Sequence, residues 1–186
     1  MKKTKTNCMV GIALMSAVVV VLQLLGSFIH LGPVSITLVL VPIVVGAAVY
    51  GPSVGAILGG VFGIVVLLQP DTVFFHNITV LGTIVTVMAK GVTAGWLAGI
   101  VYRALSGINQ WLGVIVAAVV CPVVNTGIFF LGCRLFFWEG LAAAGVGDVL
   151  MYVITVMIGF NFLAELGANM ICAPIILRTL RALKRI

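Results

Sequence analysis

The sequence predicts an all-α integral membrane protein, a bundle of six transmembrane helices, and three observations predict it. Hydrophobic residues make up 63% of the chain and charged residues only 8%, where a soluble domain carries about 25% charged residues. Mean hydropathy is +1.35. The apolar residues fall into long uncharged stretches divided by short polar or glycine–proline clusters, and roughly 20 such residues cross a hydrocarbon core. No polar segment is long enough for a separate soluble domain, so residues 1–186 read as one membrane domain.

The elements follow in order. The first span is expected over about Cys8–Ser27, behind the basic residues Lys2, Lys3 and Lys5. It is long for the core of a secretory signal and has no small-residue cleavage site after it, so it reads as a mature helix. His30-Leu31-Gly32-Pro33 is a turn cluster. The second span, about Val34–Val49, holds Pro42, which predicts a kink or break. The third, about Ser53–Leu68, carries Gly55, Gly59 and Gly63. Glycines at this four-residue spacing line one helix face and let another backbone come close.

Gln69-Pro70-Asp71-Thr72 is expected to begin an outer loop containing Phe74, Phe75, His76 and Asn77. The fourth span, about Val80–Leu105, has a second glycine repeat, Gly91, Gly95 and Gly99. The fifth covers about Leu112–Phe136, with Pro122 inside it. A long loop, about Phe137–Val149, then carries Trp138, Glu139 and Asp148. The sixth covers about Leu150–Leu177 and runs into the basic tail Arg178, Arg181, Lys184 and Arg185.

Charge gives the expected topology. With six spans and the N-terminus in the cytoplasm, both basic chain ends and Arg103 lie inside, and Asp71, Glu139 and Asp148 lie outside. This satisfies the positive-inside rule. The net charge of +6 therefore reads as topology, because the basic residues sit at the chain ends and do not form the aromatic-interleaved face of a nucleic-acid binder.

Ionisable residues inside a span are functional candidates by default, and here they are Lys90 and Glu165. Both are expected roughly 20 Å from the outer helix ends, past the midplane of a core about 30 Å thick. They form either a structural ion pair or a site in which Lys90 meets a ligand anion. Asn161, Glu165 and Asn169 fall at i, i+4 and i+8 and make one polar stripe. With Asn125 and Thr126 they are either interhelical glue or the lining of an outward pocket beneath Trp138, Phe74, Phe75, His76 and Asn77. Arg134 is either a snorkelling anchor or an anion contact. Ala13 and Ala17 form a small-xxx-small motif suited to helix packing or docking.

Other chemistries find no support. There is no Walker A motif, no H-E-x-x-H and no G-x-S-x-G, so neither ATP binding nor an enzyme is expected. Cys8, Cys121, Cys133 and Cys172 are scattered, and His30 and His76 lack partners at ligand spacing, so no metal or other cofactor is expected.

The order of these pieces resembles the substrate-binding S components of energy-coupling factor (ECF) vitamin transporters, over nearly the whole chain. The resemblance rests on the Ala13-x-x-x-Ala17 helix, Leu31–Ile36, Val41–Ala47, Tyr50-Gly51-Pro52 with Gly55, Gly59 and Gly63, and Cys121–Gly127. It implies a six-helix bundle in a prokaryotic cell membrane that captures a vitamin from outside. It also implies docking through Ala13 and Ala17 to a transmembrane coupling subunit that sits on two ATPases. Residues 121–133 and Asn161-Phe162 with Glu165-Leu166-Gly167 look most like the pantothenate type. Folate, riboflavin, pyridoxine and cobalamin are alternative substrates, and a structural membrane scaffold is the alternative without transport.

Overall fold

The computed structural model describes residues 5–26, 30–31, 34–35, 38–145 and 147–184. Lys2, Lys3, Ser27, Gly32, Pro33, Ile36 and Arg185, each named above, lie outside the described residues. The described chain is almost wholly helical, as expected of an all-α membrane protein. In order it forms α1 (Lys5–Gly26), a two-residue antiparallel pairing of β1 (His30–Leu31) with β2 (Val34–Ser35), α2 (Leu40–Tyr50) and α3 (Pro52–Leu67). A 3-10 turn at Pro70–Thr72 leads to α4 (Val73–Ile78), then α5 (Val80–Ser106) and α6 (Gln110–Gly132). A π-helical stretch, Cys133–Phe137, joins α6 to α7 (Trp138–Ala143). A second, Val153–Gly159, joins α8 (Val149–Tyr152) to α9 (Phe160–Lys184).

Five expectations need correction. The second span does not begin at Val34: α2 starts at Leu40. Pro42 therefore does not kink a helix interior. It stands in the first turn, where its missing N–H has no intrahelical partner to lose. The Gln69–Asn77 loop is largely helical, because Pro70 opens a 3-10 turn that runs into α4. The long loop at Phe137–Val149 shrinks to the few residues between α7 and α8. Asp148 there caps α8, its carboxylate accepting from the Leu150 and Met151 amides at 3.0 and 3.3 Å. Finally, the last helix does not end near Leu177, since α9 continues to Lys184.

Cys8–Gly26, Val80–Ser106 and Gln110–Ala143 are long and apolar enough to cross a membrane. The pair Pro52–Leu67 and Pro70–Ile78, bent by 77°, would make a fourth crossing. Leu40–Tyr50 has 11 residues, about 16 Å of helix against a core about 30 Å thick. Length and composition among the described residues thus support a multi-pass protein without confirming a count of six.

The two glycine repeats turn out to be partners. α3 and α5 run antiparallel, with Gly55 against Gly95 and Gly59 against Gly91. A methyl group added at any of the four would collide with the opposing carbonyl oxygen. Gly99 closes the row on Pro52, where an added Cβ would lie 2.6 Å from the proline Cα. The α2–α3 turn is made by Gly51 at φ +107°, a conformation open to glycine and strained for other residues. Pro52 follows at the first helical position, where a fixed φ suits helix initiation.

Two apolar clusters result. The larger joins α1, α2, α3, α5, α6 and α9 through residues such as Val19, Ile43, Leu58, Phe62, Ala117 and Ile176. The smaller gathers Cys133, Phe137, Leu141, Val149 and Val153, with Phe75 and Phe129 against it. α1 is tied to the end of α3 by a buried polar clasp. Gln23 donates through Nε2 to Gln69 Oε1 at 2.8 Å, and Gln69 Nε2 donates to the Gln23 carbonyl at 3.1 Å.

Candidate functional site

A polar layer is supplied by α5, α6 and α9. Glu165 is its centre and is 1% exposed. Asn125 donates from Nδ2 to Glu165 Oε2 at 3.4 Å, across the α6–α9 contact. Asn161, one turn earlier on α9, donates from Nδ2 to Oε1 at 3.2 Å. Asn169, one turn later, donates to the Glu165 backbone carbonyl at 3.2 Å. The i, i+4, i+8 stripe is therefore real, and it faces Asn125 on α6.

Lys90 enters the same layer from α5. Its ammonium stands 5.2 Å from the centroid of the Phe129 ring and 5.6 Å from that of Phe62, within the range of cation–π attraction. The Glu165 carboxylate acts on it electrostatically. Two ring faces and an opposite charge offset part of the cost of holding an ammonium among apolar helices. Phe129 also meets Phe75 edge-on at 5.7 Å, and Phe75 lies 4.9 Å from Phe137. An aromatic wall thus runs from Lys90 to the short helix α4.

The other sequence candidates are less concentrated. Thr126 is half-buried beside Asn125 on α6. His76 is half-buried and Asn77 exposed at the end of α4. Arg134 is exposed, and its guanidinium stacks 4.8 Å from the Trp138 ring centroid, which joins the π-helical stretch to α7. The Lys90 layer and the Arg134–Trp138 pair are therefore separate features. Ala13 and Ala17 are both exposed on α1, in a face shared with Met9, Val10, Leu14 and Val21.

Sequence reasoning missed the two rings around Lys90. Phe129 had a signal, being four residues from Asn125 and so on the same face of α6. Phe62 had none, because only the pairing of the two glycine rows brings its face of α3 to Lys90.

The chain belongs to the ECF transporter substrate-specific component family, whose model matches residues 7–177. The match spans every residue of the polar layer. No curated protein and no solved structure matches the chain.

Proposed function

We propose that this chain captures a carboxylate-bearing vitamin, pantothenate first among the candidates, and passes it to the coupling and ATPase subunits of an ECF importer. Family membership supports the transport role. The observation that favours an anionic substrate is Lys90, a cation held inside the bundle between two aromatic rings beside a set of buried amides. An ammonium there can receive a carboxylate through charge-assisted hydrogen bonds, and the neighbouring rings supply apolar walls of the kind small-molecule sites use.

In the proposed arrangement the chain crosses a prokaryotic cell membrane six times with both ends in the cytoplasm, and the basic residues at the two ends favour that orientation. The substrate enters from the opposite side, past His76, Asn77 and Trp138. Coupling runs through α1, whose exposed Ala13 and Ala17 would let a partner helix approach closely.

Calorimetric titration of the purified chain with pantothenate, folate, riboflavin, pyridoxine and cobalamin tests the substrate. Binding of pantothenate ahead of the rest is expected, and no binding of any of them at micromolar concentration would overturn the reading. Ala13→Trp and Ala17→Trp are expected to leave substrate binding unchanged and to abolish ATP-dependent uptake. Normal uptake by both variants would remove α1 from the coupling role.

A further inference from the structure

Each of the three asparagines in the polar layer is held by an oxygen of one residue, Glu165: Asn125 by Oε2, Asn161 by Oε1 and Asn169 by the backbone carbonyl. A carboxylate and a carbonyl only accept hydrogen bonds. Each amide must therefore turn its nitrogen toward Glu165 and its oxygen away. The asparagine Oδ1 atoms of all three are buried and have no hydrogen-bond partner among the described residues. Asn125 and Asn169 are 4% and 1% exposed, so bulk water does not serve them. A buried acceptor left unpaired is costly, and a bound molecule with N–H or O–H groups would relieve that cost.

We infer that Glu165 is a positioning residue that fixes the hydrogen-bond polarity of the site, so that apart from the one anionic group met by Lys90 the substrate is recognised as a hydrogen-bond donor. The inference deepens the substrate reading above and rests on it for the choice of ligand. Glu165 does its work without touching the substrate. It orients amides on two helices, and those amides present acceptors. Replacing it by glutamine inverts part of this arrangement. A glutamine side chain offers one oxygen and one NH2 group, so one of Asn125 and Asn161 must flip, turning its oxygen to the new donor. The site then exchanges an acceptor for a donor.

Two measurements test this, one of them free of ligand. With 15N-asparagine labelling, the side-chain amide protons of Asn125, Asn161 and Asn169 in the detergent-solubilised chain are expected to exchange slowly with solvent. Glu165→Gln should speed exchange at Asn125 or Asn161 and spare Asn169, which the backbone holds. Unchanged exchange at both, or fast exchange in the wild type, overturns the positioning role.

The second measurement compares pantothenate with its keto analogue, in which the secondary hydroxyl is a ketone, an acceptor of nearly the same size. The wild type should prefer pantothenate by about tenfold or more, and Glu165→Gln should narrow that preference to within about threefold. Equal wild-type affinity for the two compounds overturns donor recognition. If Glu165→Gln does not fold, Asn161→Ala serves in its place, with the same narrowing expected and an unchanged preference counting against the inference. If neither compound binds while the exchange pattern holds, the pantothenate reading fails and the role of Glu165 stands.

Discussion

Where α3 meets α5 the contact is made by missing side chains, and where α6 meets α9 it is made by polar ones. At the first seam Gly55, Gly59, Gly91 and Gly95 bring carbonyl oxygens against the opposing α-carbons. Van der Waals contact between backbones is what lipid leaves available to join helices. At the second seam Asn125 reaches Glu165 across the interface, and three amide oxygens have no partner among the described residues. A seam of the first kind can only hold. A seam of the second kind holds and also offers chemistry, because buried polar groups attract whatever can satisfy them.

The largest expected effect breaks the first seam. Gly59→Val should destabilise the chain by about 1–3 kcal/mol or prevent folding, since its Cβ meets the Gly91 carbonyl. Gly60→Ala next to it should be tolerated, because its Cβ finds Val92 Cγ2 at 3.6 Å and Met88 Cε at 4.0 Å, both ordinary contacts with side-chain ends. Thermal unfolding in detergent measures both, and equal stability of the two variants would mean that the seam is not the close contact described.

A smaller effect sharpens the second seam. Lys90→Ala should weaken an anionic ligand by about tenfold or more while changing a neutral analogue, such as the amide of the same acid, much less. Equal losses for both, measured by calorimetry, would make Lys90 a structural partner of Glu165 and not a ligand contact.

The smallest effect lies outside both seams. Arg134→Ala removes an exposed stack on Trp138 and should change stability by no more than about 1 kcal/mol. A loss of ligand affinity comparable with that of Lys90→Ala would bring Arg134 into the site.

The alignment of the polar stripe was legible because its partners lie on the same helix. Asn161, Glu165 and Asn169 stand at helical spacing, so their alignment follows from 3.6 residues per turn whatever surrounds them. Lys90 was legible because an ammonium within an apolar stretch is rarely there without a purpose. The start of α2 was misread because apolar composition does not distinguish the residues before Leu40 from those after it. The helical parts of residues 70–78 and 138–143 were misread as loop because polar and aromatic residues there looked like connections.

By itself the sequence determined that this chain lives in a bilayer as packed helices, since so apolar a chain has no other stable solvent, and a helix satisfies its own backbone there. It also determined the glycine spacing and the polar stripe, which are local and periodic. Only the tertiary structure decided that the two glycine rows face each other, that Phe62 and Phe129 flank Lys90, and that Glu165 turns three asparagines the same way. Each of these joins residues from different helices, and periodicity along one helix carries no information about which face of another it will meet.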